Sequence, residues 1–224
     1  MQAIMETIFN VLYLSTVITL GLIMLSHTKE NKMNRLFGAM TLLLGFGDAF
    51  HLVPRSYALF TTGLEANATA LGFGKFVTSI TMTVFYVILY RIWIEKYRVQ
   101  ESKTLSMTIY SLAVIRIVLC LFPQNDWFNF YQPVSWGIYR NLPFAIMGAI
   151  ILVLFYQQAK KQSDLIFKFM WLAITLSFGF YVPVVLWAKT YSWIGMLMIP
   201  KTIAYVWIVI MGFKQMRQTI KGRM

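Results

Sequence analysis

The chain has 224 residues, of which 58% are hydrophobic, 17% aromatic and only 12% charged, a balance that leaves too little polar surface to enclose the core of a water-soluble domain. Its formal net charge of +12 raises nucleic acid as a partner, but no nucleic-acid-binding module accompanies that charge, and the basic residues follow a simpler pattern described below. Cys120 is the sole cysteine, which excludes an intramolecular disulfide and a cysteine-based metal centre.

A helix needs roughly 20 apolar residues to cross about 30 Å of hydrocarbon. Seven stretches qualify: 4–26, 34–54, 71–93, 104–122, 136–157, 165–188 and 193–213. They predict an all-α integral membrane protein of seven transmembrane helices, with residues 1–224 as one domain. The first stretch carries Glu6 and no basic residue ahead of its apolar run, so it reads as a span and not as a cleaved signal peptide.

The second span ends in "LGFGDAFHLVPR", residues 44–55. Asp48, His51 and Arg55 stand at i, i+3 and i+7, on one face of a helix. An acid beside a histidine can relay a proton, orient an imidazole as a general base, or hold a metal. A zinc site generally needs a third protein ligand. His27 is expected at the opposite side of the membrane, so no metal is assigned. The plainer expectation is that Asp48 pairs with Lys201 or Arg116 and that Arg55 snorkels to the headgroups.

Span 3 carries Lys75 near its start, after Gly72 and Gly74, which with Gly45 and Gly47 let neighbouring backbones approach closely. Span 4 buries Arg116 among apolar neighbours, where a guanidinium calls for a carboxylate, carbonyls or an anionic ligand. Span 5 opens with Arg140 and Asn141 ahead of Pro143. Pro54, Pro183 and Pro200 mark further bends. The many aromatics are assigned mainly to interfacial belts and packing, with Trp127 at one interface and Trp93 at the other. In span 7, Lys201 follows Pro200 too deep to snorkel easily and is succeeded by Tyr205. This lysine reads first as a counter-ion to Asp48, next as an anion ligand, and last as a Schiff-base amine for retinal.

Fourteen of the 20 basic residues lie in alternate connections and at the C-terminus, among them Lys29, Lys32, Arg91, Lys96, Lys160, Lys168, Lys214 and Arg223. The positive-inside rule then directs those segments to the cytoplasm and the N-terminus outside, in a cell membrane expected to be a bacterial plasma membrane. The basic tail favours anionic inner-leaflet headgroups. The remaining cations, Arg55, Lys75, Arg116, Arg140, Lys189 and Lys201, share the outer half with Glu6, Asp48, Glu65 and Asp126.

Aligned with itself, the chain lays "LGFGDAFHLVP" (44–54) over "LSFGFYVPVVL" (176–186). This predicts half-repeats over 1–100 and 134–219, joined by span 4 in a 3+1+3 plan. The layout is similar to the seven-helix class that includes SWEET sugar transporters, nicotinamide riboside transporters and the KDEL receptor. Residues 200–218 are similar to the last helix of opsins, which carries the retinal lysine, although the NPxxY motif is absent.

The leading functional expectation is a carrier or binding protein for a small anionic or zwitterionic solute. Its outward-facing basic cavity would reach Lys201 and be proton-coupled through Asp48 and His51. An intramembrane enzyme acting on lipid with an Asp48/His51 dyad is the second reading, which no Ser, Cys or metal motif favours. A receptor or retinal photoreceptor using Lys201 is the third. The oligomeric state is not specified by the sequence.

Overall fold

The computed structural model describes residues 2–26, 32–188 and 190–221. It contains α1 (Gln2–Ser26), α2 (Lys32–Phe60), α3 (Ala68–Tyr97), α4 (Lys103–Leu121), α5 (Val134–Lys161), α6 (Met170–Trp187) and α7 (Met198–Lys221), with short 3-10 turns at Pro123–Asn125 and Ser192–Leu197. No strand occurs among the described residues. Seven segments are long and apolar enough to cross a membrane, the last running from Trp193 through α7. The chain is thus built as a multi-pass membrane protein. Of the residues singled out from sequence, His27, Lys29, Lys189 and Arg223 lie outside the described residues.

Exposed large hydrophobics crowd the outward faces, among them Met5, Ile8 and Leu12 on α1 and Met107, Val114 and Leu121 on α4. Such a surface is stable against acyl chains and not against water. The packed interior is organised on α3, where Phe85, Tyr86, Leu89, Tyr90 and Ile92 are fully buried. Trp93 belongs to this core and not to an interfacial belt, since its indole N–H donates to the Leu154 carbonyl at 3.0 Å. α2 packs along both α1 and α3, α7 packs along α6 and reaches α1 and α2, and α4 bridges α3 to α5.

Several helices run past the expected spans at the basic end, α3 to Tyr97, α5 to Lys161 and α7 to Lys221, and two further boundaries have an identifiable cause. Span 6 starts at Met170 instead of 165, because Asp164 Oδ1 accepts the backbone N–H groups of Ile166 and Phe167 at 2.9 and 3.0 Å and holds 164–169 as turns. α2 runs past residue 54 to Phe60 despite Pro54. Proline removes the hydrogen bond to the carbonyl four residues earlier, here that of Phe50. That carbonyl lies against Gly74 of α3, where a Cβ would collide with it. The neighbouring helix thereby accommodates the freed group. The other small residues named from sequence also serve close approach: Gly47 meets Thr81, Gly45 meets Ile18, and Gly72 meets the backbone of Trp127.

The chain alternates direction, so the starts of α2, α4 and α6 and the ends of α3, α5 and α7 gather at one basic end. Three ion pairs bind it: Lys32 to Glu95 at 2.7 Å, Arg91 to Glu101 at 2.7 Å and Lys96 to Asp164 at 3.2 Å. The opposite half, called here the far half, contains the intramembrane charges.

Candidate functional site in the far half of the bundle

The stripe on α2 is divided among three neighbours. Arg55 does not snorkel: its Nε and Nη2 donate to Glu6 Oε2 and Oε1 at 2.9 and 3.3 Å. A guanidinium fork held by a carboxylate beats a solvated head wherever the acid is within reach. Tyr13 donates its hydroxyl to Asp48 Oδ2 at 2.6 Å. Glu6 and Tyr13 are seven residues apart on α1 just as Asp48 and Arg55 are on α2, so the antiparallel helices meet in two rungs two turns apart. His51 turns instead to α3, its Nδ1–H donating to the Leu71 carbonyl at 3.3 Å, with Lys75 and Arg55 near enough for their charges to act on it. Asp48 and His51 therefore take separate partners, and the expected dyad is not assembled. Lys75 itself is exposed at the start of α3.

Asp48 is not paired with Arg116, and Lys201 is not in ion-pair contact with it, although the two charges interact across the intervening space. Lys201 is 7% exposed. Its ammonium sits over the rings of Tyr181 and Tyr205, 5.0 and 5.4 Å from their centroids, a cation–π setting that replaces part of its hydration. Pro200 occupies the first turn of α7, where a missing N–H costs no helix bond.

Arg116 is 2% exposed. Its guanidinium carbon lies 3.3 Å from the ring centroid of Phe144, and Nη2 donates to Asn141 Oδ1 at 3.4 Å. The same oxygen accepts the Tyr181 hydroxyl at 3.2 Å. Arg116 Nε and Nη1 are buried without an oxygen or nitrogen partner, and the Cys120 side chain one turn along α4 lies close enough to interact with the guanidinium. Of the partners expected for Arg116, a carboxylate, carbonyls or an anionic ligand, the first is not found: among the described residues no carboxylate is in ion-pair contact with Arg116, Arg140 or Lys201. The reason is supply: Glu6 is consumed by Arg55, and Asp48 is engaged by Tyr13.

Arg140 stacks 4.3 Å from the centroid of Trp127 and donates through Nη1 to Asn125 Oδ1 at 2.8 Å, leaving its Nε buried and unpartnered. Its charge is felt at Arg116. Asn125 is fully buried and caps the end of α4, donating to the carbonyls of Leu119 and Phe122 at 2.7 and 2.8 Å. Trp127, expected in an interfacial belt, is folded inward, with its indole N–H on the Cys120 carbonyl at 2.8 Å. Residues 122–133 thus cover Arg140.

A tyrosine pair completes the layer. Tyr86 hydrogen-bonds Ser177 at 3.2 Å and packs on Phe144 at 4.9 Å, while Tyr205 lies against Phe85 at 5.5 Å and interacts with Tyr86. All seven helices contribute: Tyr13, Asp48, Tyr86, Arg116, Asn141, Tyr181 and Lys201 come from α1 to α7 in order. Sequence reasoning omitted Tyr13, Asn125, Phe144 and Ser177. The seven-residue interval from Glu6 to Tyr13, matching that from Asp48 to Arg55, is the signal for the first. A buried serine carries no such mark.

Two surface hollows lie away from these residues. One runs along α4 past Glu101, Met107 and Tyr110, the other between α6 and α7 at the basic end. Neither includes Asp48 or Lys201, so the expected open cavity reaching Lys201 is not among them. Among the described residues no three His, Cys, Asp or Glu side chains converge as metal ligands. No protein-family model matches the chain, and neither does any curated protein or solved structure.

Proposed function

We propose that this seven-helix protein binds, and carries across a cell membrane, a small anionic solute held by Arg116, Lys201 and Arg140. In this reading the N-terminus faces outward and the C-terminus faces the cytoplasm, in keeping with the gathering of Lys and Arg at one end. Two halves, α1–α3 and α5–α7, flank α4 as connector, a grouping that rests on the likeness of residues 44–54 to 176–186. The observation that carries the reading is Arg116: a guanidinium 2% exposed, with Nε and Nη1 lacking an oxygen or nitrogen partner and no carboxylate beside it. A buried donor left unpaired costs about 1–3 kcal/mol, and more when charged. An anion at Arg116 would satisfy both nitrogens and offset the repulsion from Arg140.

Asp48, hydrogen-bonded to Tyr13 and electrostatically linked to Lys201, is the group through which proton movement and anion binding are coupled. Protonating it leaves Lys201 as a stronger anion ligand. Access to the layer requires the helices to part in the far half, as alternating-access carriers do. An enzymatic dyad gains no support, since His51 is engaged by Leu71.

The test is thermal unfolding of the purified protein in mild detergent with inorganic phosphate and short-chain carboxylates, alongside Arg116→Met. The wild type should be stabilised by at least one of these anions. The variant should lose that response while its ligand-free stability rises by about 1–3 kcal/mol, the relief of a buried unpaired charge. A wild type indifferent to every anion would sink the reading. So would a variant that is merely destabilised and still responds.

A further inference from the structure

The hollow between α6 and α7 at the basic end is distinct from the layer just described, and nothing in the anion reading uses it. Its volume is about 460 Å³. Lys214, Arg217 and Lys221 project from the last turns of α7 and Lys168 from just ahead of α6, and no Asp or Glu is among the lining residues. The nearby Asp164 is committed to Lys96. Intervals of three and four residues put Lys214, Arg217 and Lys221 on the same stripe of α7 as Trp207 and Ile210. On the facing wall, Phe169 touches Trp207 with ring centroids 6.0 Å apart, and Lys168 sits 4.8 Å over the Phe169 ring.

The stripe is ordered along the helix: apolar and aromatic toward the middle of the bundle, cationic at its end. From Trp207 to Lys221 the helix rises about 21 Å, which matches half of a bilayer roughly 40–45 Å thick including its headgroups. A glycerophospholipid has the same order and length, with a negative phosphate above acyl chains. We propose that this groove is a binding site for one anionic phospholipid of the leaflet at the basic end. Its headgroup is clasped by Lys168, Lys214, Arg217 and Lys221, and its chain lies on Phe169, Trp207 and Ile210. Cations drawn from two segments around a hollow distinguish this site from the other basic residues of the same end. Lys160 and Lys161, for example, are exposed at the end of α5 and border neither hollow.

The experiment uses the full chain in nanodiscs of phosphatidylcholine, titrated with brominated phosphatidylglycerol or with phosphatidylcholine brominated at the same position. The Trp207 signal is isolated by difference from Trp207→Phe. Phosphatidylglycerol should quench Trp207 at a concentration lower by about fivefold or more, the factor for even one surface cation at roughly 1 kcal/mol. The preference should vanish in K168Q/K214Q/R217Q/K221Q and persist in R35Q/K103Q/K160Q/K161Q, which removes equal charge from the same end. Single Lys214→Gln and Arg217→Gln variants, each weakening the preference, stand in if the quadruple variant does not fold. Equal quenching by the two lipids in the wild type overturns the proposal, as does an equal loss in both quadruple variants, which would mark diffuse surface attraction. A change in particle mass in pure phosphatidylcholine on removing the four groove cations would make the groove a contact between copies, and would equally overturn it.

Discussion

The two ends of the bundle handle charge in opposite ways. At the basic end, Glu95, Glu101 and Asp164 each hold a cation within 3.2 Å, and the surplus lysines and arginines reach the surface. In the far half only the Glu6–Arg55 pair is an ion pair among the described residues. Arg116, Arg140 and Lys201 are instead held by the rings of Phe144, Trp127, Tyr181 and Tyr205 and by the amide oxygens of Asn125 and Asn141. Ring faces and neutral oxygens shelter a cation without cancelling its charge. At the basic end the three acids are thus fully engaged and the unpaired cations stand at the surface, whereas in the far half three shielded cations keep their charge in a setting of low dielectric. That contrast separates cations that face solvent or headgroups from cations held inside the bundle.

The ends also differ in how glycine is used, and the largest effect is expected there. A Cβ at Gly74 would meet the Phe50 carbonyl and the His51 Cα, whereas one at Gly21, toward the basic end, would meet the Leu42 side chain first and that residue's backbone N only at 3.2 Å. Backbone cannot yield as a leucine rotamer can. Gly74→Ala should therefore cost about 3 kcal/mol or more and Gly21→Ala about 1 kcal/mol in detergent unfolding. Similar costs for both would erase the distinction between a backbone-locked half and a side-chain-packed end.

Next in size is the coupling across Asp48. Replacing it with Asn preserves an acceptor for Tyr13 but strips Lys201 of its negative neighbour, at an expected cost of about 1–3 kcal/mol. Lys201→Met should recover most of that loss, giving a coupling energy of ~1 kcal/mol or more in a double-mutant cycle. Strict additivity would mean that the two charges do not sense each other, and Lys201 would lose its assigned negative neighbour.

The smallest effect belongs to the basic end and depends on pH. Ser106 and Arg91 donate to Glu101 and hold its carboxyl below the usual range. A carboxylate depressed in this way contributes stability above its unfolded pKa, and that contribution is lost as pH falls through the folded value. The difference in melting temperature between wild type and Glu101→Gln should be present at neutral pH and close as pH drops below about 4. A gap independent of pH would point to packing instead of charge.

Much of this design is written in linear order. Apolar runs of sufficient length specify helices because a backbone in hydrocarbon must satisfy its own hydrogen bonds, and the alternation of Lys and Arg marks one end. The spacing of Asp48, His51 and Arg55 did identify a shared helical face, but not how that face is divided, since it borders both α1 and α3. Glu6 reaches Arg55 because α1 returns antiparallel to α2, a relation that local periodicity does not encode. Asp164 shows the same limit at a boundary: apolar content argued for a helix from 165, and two backbone N–H groups drawn to one carboxylate delayed it to Met170.

By itself, then, the sequence determined the class of molecule, the number of helices able to cross a membrane and the apolar stretches in which charge is held, all of which follow from the cost of moving polar groups out of water. Only the tertiary structure decided which acid met which base. Helix pairing sets those contacts, and with fewer acids than cations in the far half, each early pairing removes a partner from the rest. Arg116 is left with an aromatic face, one amide oxygen and two nitrogens without an oxygen or nitrogen partner, which is the physical basis for reading it as the ligand-binding cation.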